Sequence, residues 1–366
     1  MIRSLILAIL SFLLISGCGK KEEVAPTKTS PPPSQQLKED VKEKTKEALR
    51  SHGEKSETLT VDMSSIEGRK LGGLYAEITG VSGTVGKRYE INYGEILANL
   101  WVRKISRSNV SQATVKAAEI PIQLYLKEPK KMTLRQFIAE ANTQVSLVKA
   151  KMDWSAACKA YALTVAECKT FKALAFEVRG IDIVAYGMTE IMPSAEGDLN
   201  VKIMEILLRN AGSNYMFTIP ALYDRMLSLG FYQFTSYAVN GGTAQGASKM
   251  NRFLPKEAKI PGSVIALRNG EHHRGAYLFA LDNLANLAKR TNEKEFAALK
   301  QALKQKPGDI VTFMATAHHA PALALKSMKN WLSKGARGSL NAHLIGRLRP
   351  YGRKSDNNLA ALEKFH

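Results

Sequence analysis

Acid is in short supply in this chain. Its 366 residues include 33 Asp and Glu against 52 Lys and Arg, which leaves a net charge of +19. Such an excess reports attraction to an anionic partner, or a solvated basic surface with no specific partner, and says nothing about fold. Cysteine is limited to three residues, none in a CxxC-type pair, so the usual zinc-ligand spacing is missing. HExxH is absent as well. The adjacent histidines of Glu271-His-His273 and of His318-His319 point about 100° apart on a helix, so neither pair chelates alone. No metal or other cofactor is therefore expected. There is no Gly-rich phosphate loop and no Ser-centred nucleophile elbow. No basic helix is concentrated enough to read as a nucleic-acid element, and nucleic acid is not expected as a partner.

What is present begins with an address. Met1-Ile-Arg3 is a short positive region, Ser4 to Ile15 is apolar, and Ser16-Gly17-Cys18 is a small-residue processing site. This is the order of a secretory signal, and the apolar stretch is too short to cross a bilayer. Leu14-Ile-Ser-Gly-Cys18 resembles the lipobox of bacterial lipoproteins, in which cleavage before the cysteine is coupled to its lipidation. The resemblance implies a signal peptide over 1–17, a lipidated Cys18 and a stable membrane anchor made by several acyl chains. An ordinary signal peptide with a chance cysteine is the alternative. Gly19 follows where an Asp would imply inner-membrane retention in enteric-type bacteria. The expected location is the cell envelope, on the outer membrane facing the periplasm in a host with two membranes.

Residues 18–58 are charged and Pro-rich, with almost no large apolar side chains. Such a segment buries too little surface to offset its ordering entropy and reads as a flexible tether. For an exported, anchored protein the anionic partners to consider are the lipid surface and the cell-wall polymer. With Cys18 assigned to lipid, Cys158 and Cys168 remain as a pair. A disulfide fits an oxidising compartment. It requires a bend, because ten positions on one continuous helix rise about 15 Å. Two free, half-buried thiols are the alternative.

Over 59–132, strand signals dominate. Leu71 to Thr79 and Arg88 to Tyr93 alternate with period two between glycine-marked turns, so a small β-rich or mixed accessory unit of unassigned role is expected. From Thr133 the period becomes helical, with Leu134, Phe137, Ile138 and Ala141 at three- and four-residue steps. Trp154 to Phe176, Ile181 to Ile191, Val201 to Leu208, Ile219 to Leu229, Tyr277 to Ala288, Phe296 to Leu303, Ile310 to Ala317 and Ala322 to Leu332 all read as helices. The fold class is therefore mainly α, with an α-helical domain over 133–355 and a C-terminal tail over 356–366.

Two segments carry the chemistry. Ile183-Val-Ala-Tyr-Gly-Met-Thr189 is apolar enough to be a buried helix, and Glu190 stands at its end shortly before Pro193. Desolvation there raises a carboxyl pKa, which suits a general acid; a surface Glu at a helix end is the plain alternative. Gly230-Phe-Tyr-Gln-Phe-Thr-Ser-Tyr-Ala238 places a glutamine among aromatics. Aromatic faces stack on sugar rings and an amide binds their hydroxyl or acetamido groups, although an aromatic cluster is by default core. A buried amide must find partners, which makes Gln233 the more telling residue.

Together with Leu278 to Leu287 and Gly308 to Ala317 running through His318-His319 to Trp331, these segments resemble, in the same order, the motifs of membrane-bound lytic transglycosylases, relatives of goose-type lysozyme. The likeness spans roughly residues 154 to 350. It implies a lysozyme-like domain acting on peptidoglycan glycan strands without a cofactor. Glu190 would be the sole catalytic carboxylate, acting first as acid and then as base to form 1,6-anhydromuramic acid. Gly230, Phe231, Tyr232 and Gln233 would line the substrate groove. The chain departs from the family at Ile191, where a Ser is usual, and in the 43 positions between Glu190 and Gln233. The extra length, about Ala195 to Leu229, is expected to form a helical hairpin over the groove. The family's third motif falls on Ala317 and His318, so its tyrosine is missing, and His318 or His319 would supply the lost hydrogen bond. The other reading is a catalytically degenerate peptidoglycan-binding or scaffolding lipoprotein on the same fold.

Overall fold

A computed structural model describes residues 58–62, 69, 88–92, 130–192, 195–218, 220–223, 226–235, 243–260 and 271–366. The signal peptide, Cys18, the tether through residue 57, the expected strand at 71–79 and Pro193 lie outside the described residues. Within them the chain is mainly α-helical. Among the described residues, two short strands lie ahead of residue 130. Strand β1 (Thr58–Asp62) pairs antiparallel with β2 (Arg88–Asn92), with Val61 opposite Tyr89.

Helix α1 (Leu134–Lys151) starts at a capping box. The Thr133 hydroxyl accepts the Gln136 N–H, and Gln136 Oε1 accepts the Thr133 N–H at 2.8 Å. Its buried residues, Leu134 to Val148, follow the three- and four-residue steps seen in the sequence. Helices α2 (Trp154–Ala160) and α3 (Val165–Glu177) replace the single run read over 154–176. The break between them brings Cys158 and Cys168 to a Cα separation of 5.5 Å, and the two are joined as a disulfide.

Helix α4 (Gly180–Ile191) is the centre of the packing, contacting α1 and three later helices. Every residue from Gly180 to Thr189 is buried. Its entry is fixed by Asp182, whose carboxylate accepts the Arg179 backbone N–H at 2.7 Å and the Arg179 guanidinium at 2.6 Å. Helices α5 (Gly197–Asn210) and α6 (Gly212–Thr218) follow. Then come β3 (Pro220–Tyr223), β4 (Met226–Leu229) and β5 (Phe234–Thr235), a three-stranded antiparallel sheet in that order.

This corrects the helix expected over Ile219 to Leu229, and with it the helical hairpin expected over 195–229. The apolar run there fits either period, and in the structure Tyr223 pairs with Met226 and Pro220 with Leu229. Pro220 opens the first strand, a position that tolerates the missing N–H.

Helices α7 (Thr243–Asn251), α8 (Glu271–Ala288), α9 (Glu293–Gln305), α10 (Gly308–His319), α11 (Pro321–Ser333) and α12 (Leu348–Phe365) complete the described chain. Helix α12 corrects the tail expected over 356–366. Its Leu359 and Leu362 are buried one turn apart, and it packs on α4, α5 and α10. A buried polar chain ties three of these helices together. Asn200 of α5 donates to Asn358 of α12 at 2.7 Å, and Asn358 donates to Thr189 of α4 at 3.3 Å.

Candidate functional site

Glu190 lies in the last turn of α4, with only 3% of its side chain exposed. Its Oε2 stands 3.1 Å from Nε2 of His319 and 3.7 Å from Nε2 of His318, both at the end of α10. The His319 ring is close enough for an ion pair when protonated, but its N–H is not aligned as a hydrogen bond. Oε1 of Glu190 is buried and, among the described residues, accepts no hydrogen bond. A buried carboxylate oxygen left without a donor is costly, so this atom is where a bound group gains most.

His318 is held on two sides. Its Nδ1 is 2.6 Å from the hydroxyl of Tyr186, one turn before Glu190 on α4. The backbone carbonyl of Gln233 acts on the ring as an acceptor that favours its N–H. A carbonyl only accepts, so with Nδ1 occupied by the tyrosine the ring presents Nε2–H to Gln233, and Nδ1 takes the Tyr186 proton. Burial pushes His318 down to about 4, so at neutral pH it is an uncharged, fixed donor.

The turn that carries Gln233 depends on left-handed backbone. Gly230 has φ +76° and Gln233 has φ +47°. A glycine adopts this freely, whereas a glutamine does so at a cost that the surroundings must offset. A side chain at Gly230 would press to 2.8 Å from the His272 ring and 2.9 Å from the Phe217 carbonyl. The Gln233 amide donates to the Gly230 carbonyl at 2.7 Å and accepts from the Ser228 hydroxyl at 2.8 Å. Gln233 therefore spends its amide on its own turn and turns its main chain to His318.

Phe231 and Tyr232 are fully buried. Phe231 meets Phe137 edge-on at 5.3 Å, and the Tyr232 hydroxyl is 2.6 Å from Nδ1 of His273, a ring that burial pushes down to about 3. Both aromatics pack where α4 has Gly187, at which a Cβ would come within 2.2 Å of Phe231 and 2.8 Å of Tyr232. These two rings offer no open face to a sugar. They mount the Gln233 turn against the helix that carries Glu190.

The carboxyl of Glu190 also departs from the raised pKa read in the sequence. Burial does push it up, and it is the largest single influence, but His318, His319 and Lys354 together pull it below the ordinary 4.5. With His318 uncharged at neutral pH, the pull there comes from His319 and Lys354. Lys354 of α12 is itself pushed down by burial and held up by Glu190. His319 stacks on Tyr351 of α12, with ring centroids 3.5 Å apart, and is 15% exposed. It is the more open of the two imidazoles around the acid.

The fold thus brings Glu190, Gln233, His318 and His319 together, leaves Gly230 as the hinge of the turn, and places Phe231 and Tyr232 behind it. Cys158 and Cys168 lie apart, at the joint of α2 and α3. Tyr186, Tyr351 and Lys354 went unread in the sequence. Tyr186 had a signal, since four residues before Glu190 is the same side of a helix; Tyr351 and Lys354 had none. Among the described residues no group of three or more His, Cys, Asp or Glu is placed to hold a metal ion. No protein-family model, curated protein or solved structure matches the chain.

Proposed function

We propose that this protein is an envelope lipoprotein that cleaves peptidoglycan glycan strands as a lytic transglycosylase on a lysozyme-like domain. The observation that carries the reading is the Oε1 of a buried Glu190, left without a donor among the described residues, beside His318 and the Gln233 turn that links β4 to β5 of the three-stranded sheet. A carboxylic acid there protonates the glycosidic oxygen, and the C1–O bond breaks. The resulting carboxylate then takes the proton of the muramyl 6-hydroxyl as its oxygen bonds to C1. No water is consumed and no second carboxylate is required, in contrast to the two-acid glycosidases.

Because His319 and Lys354 favour the charged form, Glu190 must take up a proton before the first step. Turnover is accordingly expected to rise as pH falls below neutral, for as long as the fold survives. The purified protein should release anhydromuropeptides from sacculi, detected by mass spectrometry, and Glu190→Gln should lower the yield by at least about a thousandfold, as loss of a sole acid–base group does. Absence of anhydro product from the wild type sinks the enzymatic reading. A binding protein on the same fold is favoured by the charged state of Glu190, and it would retain sacculi without cutting them.

A further inference from the structure

Between Asp309 and Asp356 the chain holds eight Lys and Arg and no Asp or Glu. The whole chain has 33 acids in 366 residues, so a stretch of this length would ordinarily hold about four, and their absence concentrates charge. This stretch runs from α10 through α11 to the first turns of α12. Lys326, Lys334, Arg337, Arg349 and Arg353 are all exposed.

The neighbouring acids are already engaged. Asp356 accepts from Lys306 at 2.8 Å, Asn341 at 2.7 Å and Thr312 at 2.6 Å. Asp309 is buried and accepts the Leu340 N–H at 2.9 Å. Glu295 is paired with Lys329. The loop after α11 is folded back onto that helix, the Trp331 indole donating to the carbonyls of Arg337 and Gly338 at 3.2 and 3.3 Å. Its cations are therefore held near α11 rather than trailing in solvent.

We propose that this cationic face docks an anionic polysaccharide strand and leads it to Glu190; the second half of the statement rests on the function proposed above. Tyr351 and Lys354 lie within the same stretch, and they are the residues of α12 that stack on His319 and act on Glu190. Arg353, the chain neighbour of Lys354, therefore stands beside the residues that reach the acid. The chemistry favours a polymer over a lipid surface. Among the described residues the exposed large hydrophobics are Val165 and Phe176, both on α3, so the basic face has no apolar residue to insert between acyl chains. What it offers is spaced positive charge, which suits carboxylates or phosphodiesters repeated along a glycan.

The test uses the full chain carrying Glu190→Gln, so that bound strands are not cut, and Cys18→Ser, so that an anchor does not mask weak binding. Its affinity for purified sacculi is expected to fall about tenfold between about 50 and about 300 mM salt, as counterions compete. Adding Lys334→Gln, Arg337→Gln and Arg353→Gln, all at exposed positions, should cost about tenfold at low salt and flatten the salt dependence. Binding of neutral N-acetylglucosamine oligomers should be insensitive to both changes. If the triple variant binds sacculi as tightly as its parent, with the same salt dependence, the inference is overturned. Equally strong binding to phosphatidylglycerol vesicles, lost in the triple variant, overturns it in favour of a lipid-binding face. Salt-dependent binding without anhydro product from the wild-type protein would remove the enzyme and leave the docking face standing.

Discussion

Tyr186 makes the clearest case for a role that only three dimensions reveal. Its hydroxyl fixes the tautomer of a histidine 132 positions later, and that histidine spans Glu190 and Gln233. Replacing Tyr186 with Phe leaves Nδ1 of His318 without its donor, at a stability cost of about 1–3 kcal/mol. On the proposed function it should also lower kcat about tenfold with little change in KM, since a misoriented donor acts through Glu190 rather than on substrate binding. His318→Gln, whose amide nitrogen reaches the position of Nε2, should retain more activity than His318→Asn. Activity falling only in step with the folded fraction, in all three variants, would mean that the tyrosine and histidine merely pack. Glu190 and Gln233 were legible from the sequence because each stands out within its own segment: a lone acid ending an apolar run, and an amide among aromatics. The bridge between them was not legible, because no local pattern links positions on α4, α10 and the turn.

Among the elements, the decisive junction is α4 against the Gly230–Gln233 turn. Gly187 permits it, and Gly187→Ala would drive a methyl into Phe231, 2.2 Å from the nearest ring atom. Overpacking of this kind costs about 1–3 kcal/mol. The variant should show a lower denaturant midpoint and a larger loss of activity than of stability, because the displaced turn carries the main-chain contact to His318. Unchanged activity in a destabilised Gly187→Ala protein would separate the turn from the chemistry. The helices here were readable wherever an apolar stripe repeated over several turns, as in α1 and α10. Short elements defeated the reading. Residues 220–223 and 226–229 pair as strands because each offers the other a partner, and α12 was missed because its buried face, Leu348, Gly352, Ser355 and Asn358 before Leu359, is largely not apolar.

At the scale of the whole molecule, the buried imidazoles of His273 and His318 contribute to the response to acid. His273 and His318 are depressed to about 3 and about 4, from the 6.5 of an ordinary histidine. The unfolded chain therefore binds more protons than the folded one below pH 6.5. Stability present above that pH is lost as pH falls toward 4, by up to about 1.4 kcal/mol per pH unit for each ring. Asp309 works in the opposite sense. Burial raises it to about 6, so its penalty is relieved over part of the same range and offsets roughly one ring, and burial raises the Asp182 carboxyl in the same sense. Glu190, held below 4.5, gives up its contribution only below that value. Thermal midpoints measured from pH 7.5 downward should begin to decline near pH 6.5; a flat profile to pH 4.5 would count against neutral burial of the two histidines. Acid thus favours the proton that the proposed reaction needs while it weakens the fold that positions it.

The cage around the acid also has an order of assembly. Glu190 is synthesised well over a hundred residues before His318, His319, Tyr351 and Lys354, which surround it in the finished fold. A nascent chain, or one clipped in the loop after α11, carries the carboxylate without Tyr351 and Lys354 and without the helix that packs against α4. The site therefore comes into being late.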